Sequence, residues 1–195
     1  MDRRRRYGFV GEKTGTAMSL LGTKIGVISL GVSCQSAHQI QSHAKLIAKL
    51  SGDPGATISG FPFDNLICPP QSAIRMLQAD RFHPEAMDDL EVGEGAYWPR
   101  MDAHFWHEFR PKRSAIFRRK TMDPLTSFQN LMQKYQHTGK KFRALSGLPR
   151  VVFVISNSQN NLQMVSRVTG TVSVMLDLAE VDALADQTDA YLGRA

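Results

Sequence analysis

The residue of this chain best suited to chemistry is a thiol. Cys34 stands in the stretch Val27-Ile28-Ser29-Leu30-Gly31-Val32-Ser33-Cys34-Gln35, just past an apolar run that ends in glycine. If the run is a strand and a helix follows, Cys34 falls in the first turn of that helix. Unpaired backbone N–H groups and the positive end of the helix dipole favour an anion there. Both effects lower a thiol pKa, and the thiolate is the nucleophile. The N–H groups of Cys34 and Gln35 would supply an oxyanion hole. The competing reading is a small core residue, since free cysteines often pack as hydrophobes. Cys68 follows Leu66-Ile67, precedes two prolines, and reads as a buried thiol.

A nucleophilic thiol needs a base, and the base needs an orienting group. Of six histidines, His38 falls on a polar helix face, His43 beside an apolar one, and His83 and His137 among polar residues. His104 and His107 remain, in "HFWHEF". Aromatic neighbours there would desolvate an imidazole and hold its pKa near working pH. Their i, i+3 spacing also suggests a metal pair, but no cysteine or carboxylate pattern completes it, and neither metal nor cofactor is expected. Two residues could orient the base. Asp64 lies in "FPFDNL", where the alternative is a turn or helix cap. Asn157 ends the clearest strand, where the alternative is an N-cap.

The elements that must position these residues alternate between two periods. Residues 24–30 form a short Ile/Val-rich run bounded by glycines, as a buried strand does. Helical spacing follows, with Ala37, Ile40, Ala44, Ile47 and Ala48 on one face, stopped by "SGDPG". Pro69-Pro70 leads into a second helix carrying Ile74, Leu77 and Met76. Residues 83–102 read as acidic and irregular. A longer helix is predicted from about Pro124 to Leu145, weakened at Gly139, with Leu125, Phe128, Leu131, Met132, Tyr135 and Phe142 as its apolar positions. "RVVFVIS" is the clearest strand. A helix over 157–168, a weak strand over 172–176 and a helix over 178–192 complete the reading. The expected class is α/β: a small, mostly parallel sheet flanked by helices, in a single domain over 23–195, after a flexible basic tail over 1–22.

Composition bounds the rest. The chain has 195 residues, 42% hydrophobic and 22% charged, enough for one core and unlike a disordered chain. Two cysteines do not make a disulfide scaffold. The formal net charge is +6. Four of the positive charges are Arg3 to Arg6, and the run Arg110 to Lys120 carries six basic residues and no acid. No nucleic-acid-binding motif accompanies that charge, so a solvated basic tail and loop are expected rather than a nucleic-acid partner. The arginines before Tyr7 faintly resemble a twin-arginine signal, but charges at Glu12, Lys13 and Lys24 interrupt any apolar region. No apolar run reaches the ~18 residues of a membrane span. The expected location is cytoplasmic, with leaderless secretion left open.

The ordered set "ISLGVSCQSAHQI", "FPFDNLICPPQSAIRML", "HFWHEF" and "KYQHTGKKFRAL" leading to "PRVVFVISNSQNN" resembles the bacterial family of papain-like cysteine peptidases, over about Ile28 to Asn161. The resemblance implies a cysteine-nucleophile hydrolase. Cys34 matches the nucleophile, His107 the histidine of the His-acid-Phe motif with Glu108 in its acid slot, and Asp64 the Phe-Asp loop. Asn65 stands where that pattern has tryptophan, Glu108 replaces the usual aspartate, and the chain after Asn161 departs from it.

Three functions follow as expectations. The first is a thiol hydrolase on a peptide, isopeptide or thioester, using Cys34, His107 and Asp64 or Asn157. The second is a serine-type acyl hydrolase or acyltransferase using Ser33. The third is a non-enzymatic binding protein that uses the basic loop 110–120. Oligomeric state is not legible.

Overall fold

The computed structural model describes residues 25–31, 34–93, 95–105, 107–109, 123–155 and 178–193. The basic tail, Ser33, the loop 110–120, Asn157, and the helix and strand expected over 157–168 and 172–176 lie outside them.

Strand β1 (Ile25–Ser29) is buried along its whole length, as its unbroken apolar run requires. It pairs in parallel with β5 (Arg150–Val154), from Ile25 opposite Arg150 to Ser29 opposite Val154. On its other edge Val27 N–H donates to the Thr57 carbonyl at 2.9 Å, and Thr57 N–H donates to the Ile25 carbonyl at 3.1 Å. β1 is therefore hydrogen-bonded on both sides. The end of β1 leads, past Gly31, to helix α1 (Cys34–Ser42).

The single helix expected after β1 is broken at His43, and α2 (Ala44–Ser51) follows. Gly52 stops α2 in the left-handed region at φ 67°, where glycine carries no Cβ penalty. Buried Asp53 then ties the helix end back to the sheet. Its Oδ2 accepts from Ile25 N–H at 3.1 Å and its Oδ1 from Gly55 N–H at 2.9 Å.

Helix α3 (Pro70–Gln78) opens with proline in its first turn and buries Ala73, Met76 and Leu77. Helix α4 (Pro124–Arg143) is capped by Asp123, whose Oδ2 accepts from Thr126 N–H at 2.9 Å. It turns Leu131, Tyr135 and Phe142 inward. Leu125, expected on that face, is 62% exposed, because it lies in the first turn beyond the reach of the core. The helix runs unbroken through Gly139. An added Cβ there would lie 3.2 Å from the Phe82 ring, so glycine lets that ring approach. Helix α5 (Leu178–Tyr191) packs on α3 and buries Leu184 and Thr188.

The acidic segment expected to be irregular is a second sheet. β2 (Glu91–Val92), β3 (Ala96–Trp98) and β4 (Ala103–Phe105) run antiparallel in that order. A bridge from Ile67 to His104 joins the loop before α3 to β4. The α/β class is as expected: a parallel pair, an antiparallel triplet and flanking helices in one domain.

The core is centred on Phe142. Its ring lies 5.4 Å from Phe82, 5.7 Å from Phe63 and from Tyr191, 6.2 Å from Phe153 and 6.4 Å from Phe61. Rings at such separations attract beyond their buried area. Phe142→Ala is expected to cost about 3–5 kcal/mol of stability, read as a drop in the urea midpoint. A loss below ~1 kcal/mol would place the ring outside the cooperative core.

Candidate active site

The site is assembled by the end of β1, the start of α1, the turn at Pro62–Asp64, the turn after β4 and the inward face of α4. The Pro62–Asp64 turn packs against both α1 and α4. Gly31, at φ 93°, makes the exit from β1. A Cβ there would lie 3.1 Å from the Cys68 Sγ. Cys68 itself is 1% exposed and fills the core below Gly31, as expected from its apolar neighbours.

Cys34 is the first residue of α1, and its side chain is half-buried. The location beyond the strand end is the one its sequence setting predicts. The ionisation is not. Burial raises the thiol pKa above its ordinary value. The backbone N–H at the helix start pulls it down, but the negative charge of Glu108 adds to the rise. The resting residue is a thiol at neutral pH, and attack requires a proton acceptor.

Glu108 is that charge. It lies one residue beyond His107, and its side chain is only 7% exposed. Oε1 accepts from the Lys134 ammonium of α4 at 2.5 Å. Oε2 is buried and, among the described residues, has no hydrogen-bond partner. His107 stands exposed in the turn. Among the described residues no hydrogen bond or ion pair joins it to Cys34. His104 is 8% exposed in β4, and its ring lies against Gly95, where a Cβ would come within 2.5 Å of Cε1. One of the two imidazoles is thus buried in a strand and the other turned to solvent. Among the described residues no cluster of His, Cys, Asp and Glu could hold a metal ion.

Asp64 is buried beneath this region. Its Oδ2 accepts from Gly60 N–H at 2.8 Å and Phe61 N–H at 3.1 Å, so it caps its own turn. Its Oδ1 has no hydrogen-bond partner among the described residues. Burial raises its pKa against the pull of those two N–H groups, Lys141 and Lys134. Gln35 follows Cys34 in the first turn of α1, half-buried. Its N–H and that of Cys34 lie in the first turn of α1.

Three further residues escape a reading of the sequence. Lys134, Tyr135 and Lys141 all lie on α4, where Lys134, Thr138 and Lys141 have i, i+4, i+7 spacing. That spacing, beside Leu131 and Phe142, was the available signal. Lys141 donates to the Ser59 carbonyl at 2.7 Å and lies 5.0 Å over the Phe61 ring. Burial lowers its pKa, and Asp64 opposes that. Gly60, at φ 83°, leaves room for the ammonium, since a Cβ there would lie 2.5 Å from Nζ. The Tyr135 hydroxyl is buried and has no hydrogen-bond partner among the described residues. Burial raises its pKa well above the ordinary value, followed by Glu108, Cys68 and Asp64.

Because the hydroxyl is unpartnered, Tyr135→Phe is expected to leave stability unchanged or raise it by up to about 1 kcal/mol. A thermal midpoint several degrees lower would mean that the hydroxyl is bonded in solution.

The class defined at this point is an α/β domain with a half-buried thiol at a strand-to-helix junction and a buried carboxylate, Glu108, whose negative charge acts on that thiol. Comparison with family models, with curated proteins and with solved structures finds no match. No helix among the described residues is long and apolar enough to cross a membrane.

Proposed function

We propose that the protein is a cysteine-nucleophile hydrolase that cleaves an acyl bond. The carrying observation is the position of Cys34, half-buried at the start of α1 beyond the end of β1, whereas Cys68 is enclosed in the core. Functional groups collect beyond the carboxyl ends of parallel strands, and the resemblance of the ordered motifs to those of papain-like cysteine peptidases favours the same reading. Cys34 is the nucleophile. The N–H groups of Cys34 and Gln35 face the developing oxyanion. The raised thiol pKa makes a base necessary. His107, adjacent in the chain to the carboxylate that acts on Cys34, takes that role, and Asp64 braces the turn packed on α1.

The test is turnover of short peptidyl anilides and thioesters. Cys34→Ala is expected to abolish it, and His107→Ala to lower kcat by about 10²–10⁴-fold, the range for loss of a general base. Turnover that survives Cys34→Ala would refute the nucleophile. Full rate in His107→Ala would remove His107 from the mechanism and leave Cys34 in it.

A further inference from the structure

Helix α2 carries a face that the hydrolase reading does not use. The helix is 8 residues long, and none of them is buried. Ile47, half-buried, packs against the cluster of Ile25, Val27 and Ile40. The outward side has two stripes, since residues four apart share a helix face. Lys45 and Lys49 form one and are exposed. Leu46 and Leu50 form the other, 50% and 78% exposed. Single exposed leucines need no explanation. Two on one stripe, bordered by two lysines, make a patch that is both apolar and positive. In the sequence no acidic residue stands between Glu12 and Asp53. Asp53, just past the helix, is 4% exposed and turns its carboxylate inward, to the N–H groups of Ile25 and Gly55. The positive charge of α2 is therefore unopposed by acids of its own segment.

We infer that α2 is a docking face for an anionic membrane surface, with Leu46 and Leu50 entering the headgroup region and Lys45 and Lys49 meeting lipid phosphates. Charge complementarity selects this occupant, and the formal net charge of +6 adds attraction at longer range. Lysine stems lie along apolar surface while their ammonium groups reach the phosphates. A lipid interface is fluid and needs no matching shape. A stable protein partner covers about 800 Å² of each surface, more than four side chains on one short helix supply. Two leucines bury too little area to hold the chain on a neutral bilayer, because affinity grows with apolar area and with attraction to anionic lipid together. The contact is peripheral, reversible and conditional on negative lipid. It stands whether or not Cys34 is a nucleophile.

The experiment floats the full chain with vesicles of phosphatidylcholine alone and of phosphatidylcholine mixed with phosphatidylglycerol. Binding to the mixed vesicles is expected to be at least tenfold tighter than to the neutral ones, and to weaken as salt rises. Leu46→Gln with Leu50→Gln, and separately Lys45→Gln with Lys49→Gln, should each lower it about tenfold. All four side chains are exposed and glutamine is a good helix former, so these variants keep the core and the helix. Leu50→Trp reads the contact directly. Its emission should shift to the blue on mixed vesicles and be quenched by lipids brominated in the acyl chain, beyond any change in the parent. Parental affinity in the leucine pair overturns the inference, because the contact is then made by charge elsewhere. Equal binding to both kinds of vesicle also overturns it. So does binding to neither, which assigns the face to a second copy of the chain if the parent self-associates and the leucine pair does not.

Discussion

Iodoacetamide is expected to modify Cys34 at least tenfold faster than Cys68 at pH 8, with the labelled peptides quantified by mass spectrometry. Both residues are free thiols, so the difference rests on access and ionisation. Cys68 is 1% exposed and pressed against Gly31, so it reacts only when the core opens. Cys34 is partly open to solvent at the mouth of α1. Its rate should climb with pH to a midpoint above the ordinary thiol value, because burial and Glu108 both hold the proton on. Glu108→Gln removes a negative charge, which favours the thiolate, so the midpoint moves down. Equal labelling of the two thiols would contradict the geometry. A midpoint that rises in Glu108→Gln would contradict the electrostatics.

The second large effect is structural. Lys134→Met leaves the Glu108 carboxylate, 7% exposed, with neither oxygen bonded. Breaking a buried ion pair by removing one partner costs about 3–5 kcal/mol. Lys134 is itself 38% exposed, so solvent screening reduces the expected loss to about 2–3 kcal/mol. The loss is read as a fall in the urea midpoint. The double variant Lys134→Met with Glu108→Gln should recover most of it, since no unpaired charge then stays behind. A single variant as stable as the parent would mean that Glu108 turns to water when released.

The same pair explains what the sequence hid. β1, the stop at Gly52 and the strand β5 were legible, because a buried apolar run and glycine or proline punctuation have direct backbone causes. The buried state of Cys68 followed from its neighbours. The sheet β2–β3–β4 was not legible. Its strands are two or three residues long, too short for alternation to register, and the acidic residues read as an irregular stretch. Glu108 was read through its motif slot, as a companion to His107. The turn after β4 instead buries Glu108 and exposes His107, because adjacent residues in a turn face apart. Lys134 carries no motif of its own in the sequence, although its spacing to Leu131 and Thr138 sets it on the inward stripe of α4. Asp64 had two readings. Its two N–H bonds satisfy the cap, and its unpartnered Oδ1 leaves room for a second role.

The nucleophile is tested most directly by trapping its acyl intermediate. The protein, mixed with an activated acyl ester and quenched in acid within milliseconds to seconds, is weighed intact and then digested. The expected product carries one acyl group per chain, on the peptide that contains Cys34, labile to hydroxylamine and absent in Cys34→Ala. An acyl group that persists in Cys34→Ala and maps to Ser33, or no acylated chain at all under turnover, would contradict Cys34 as the attacking residue.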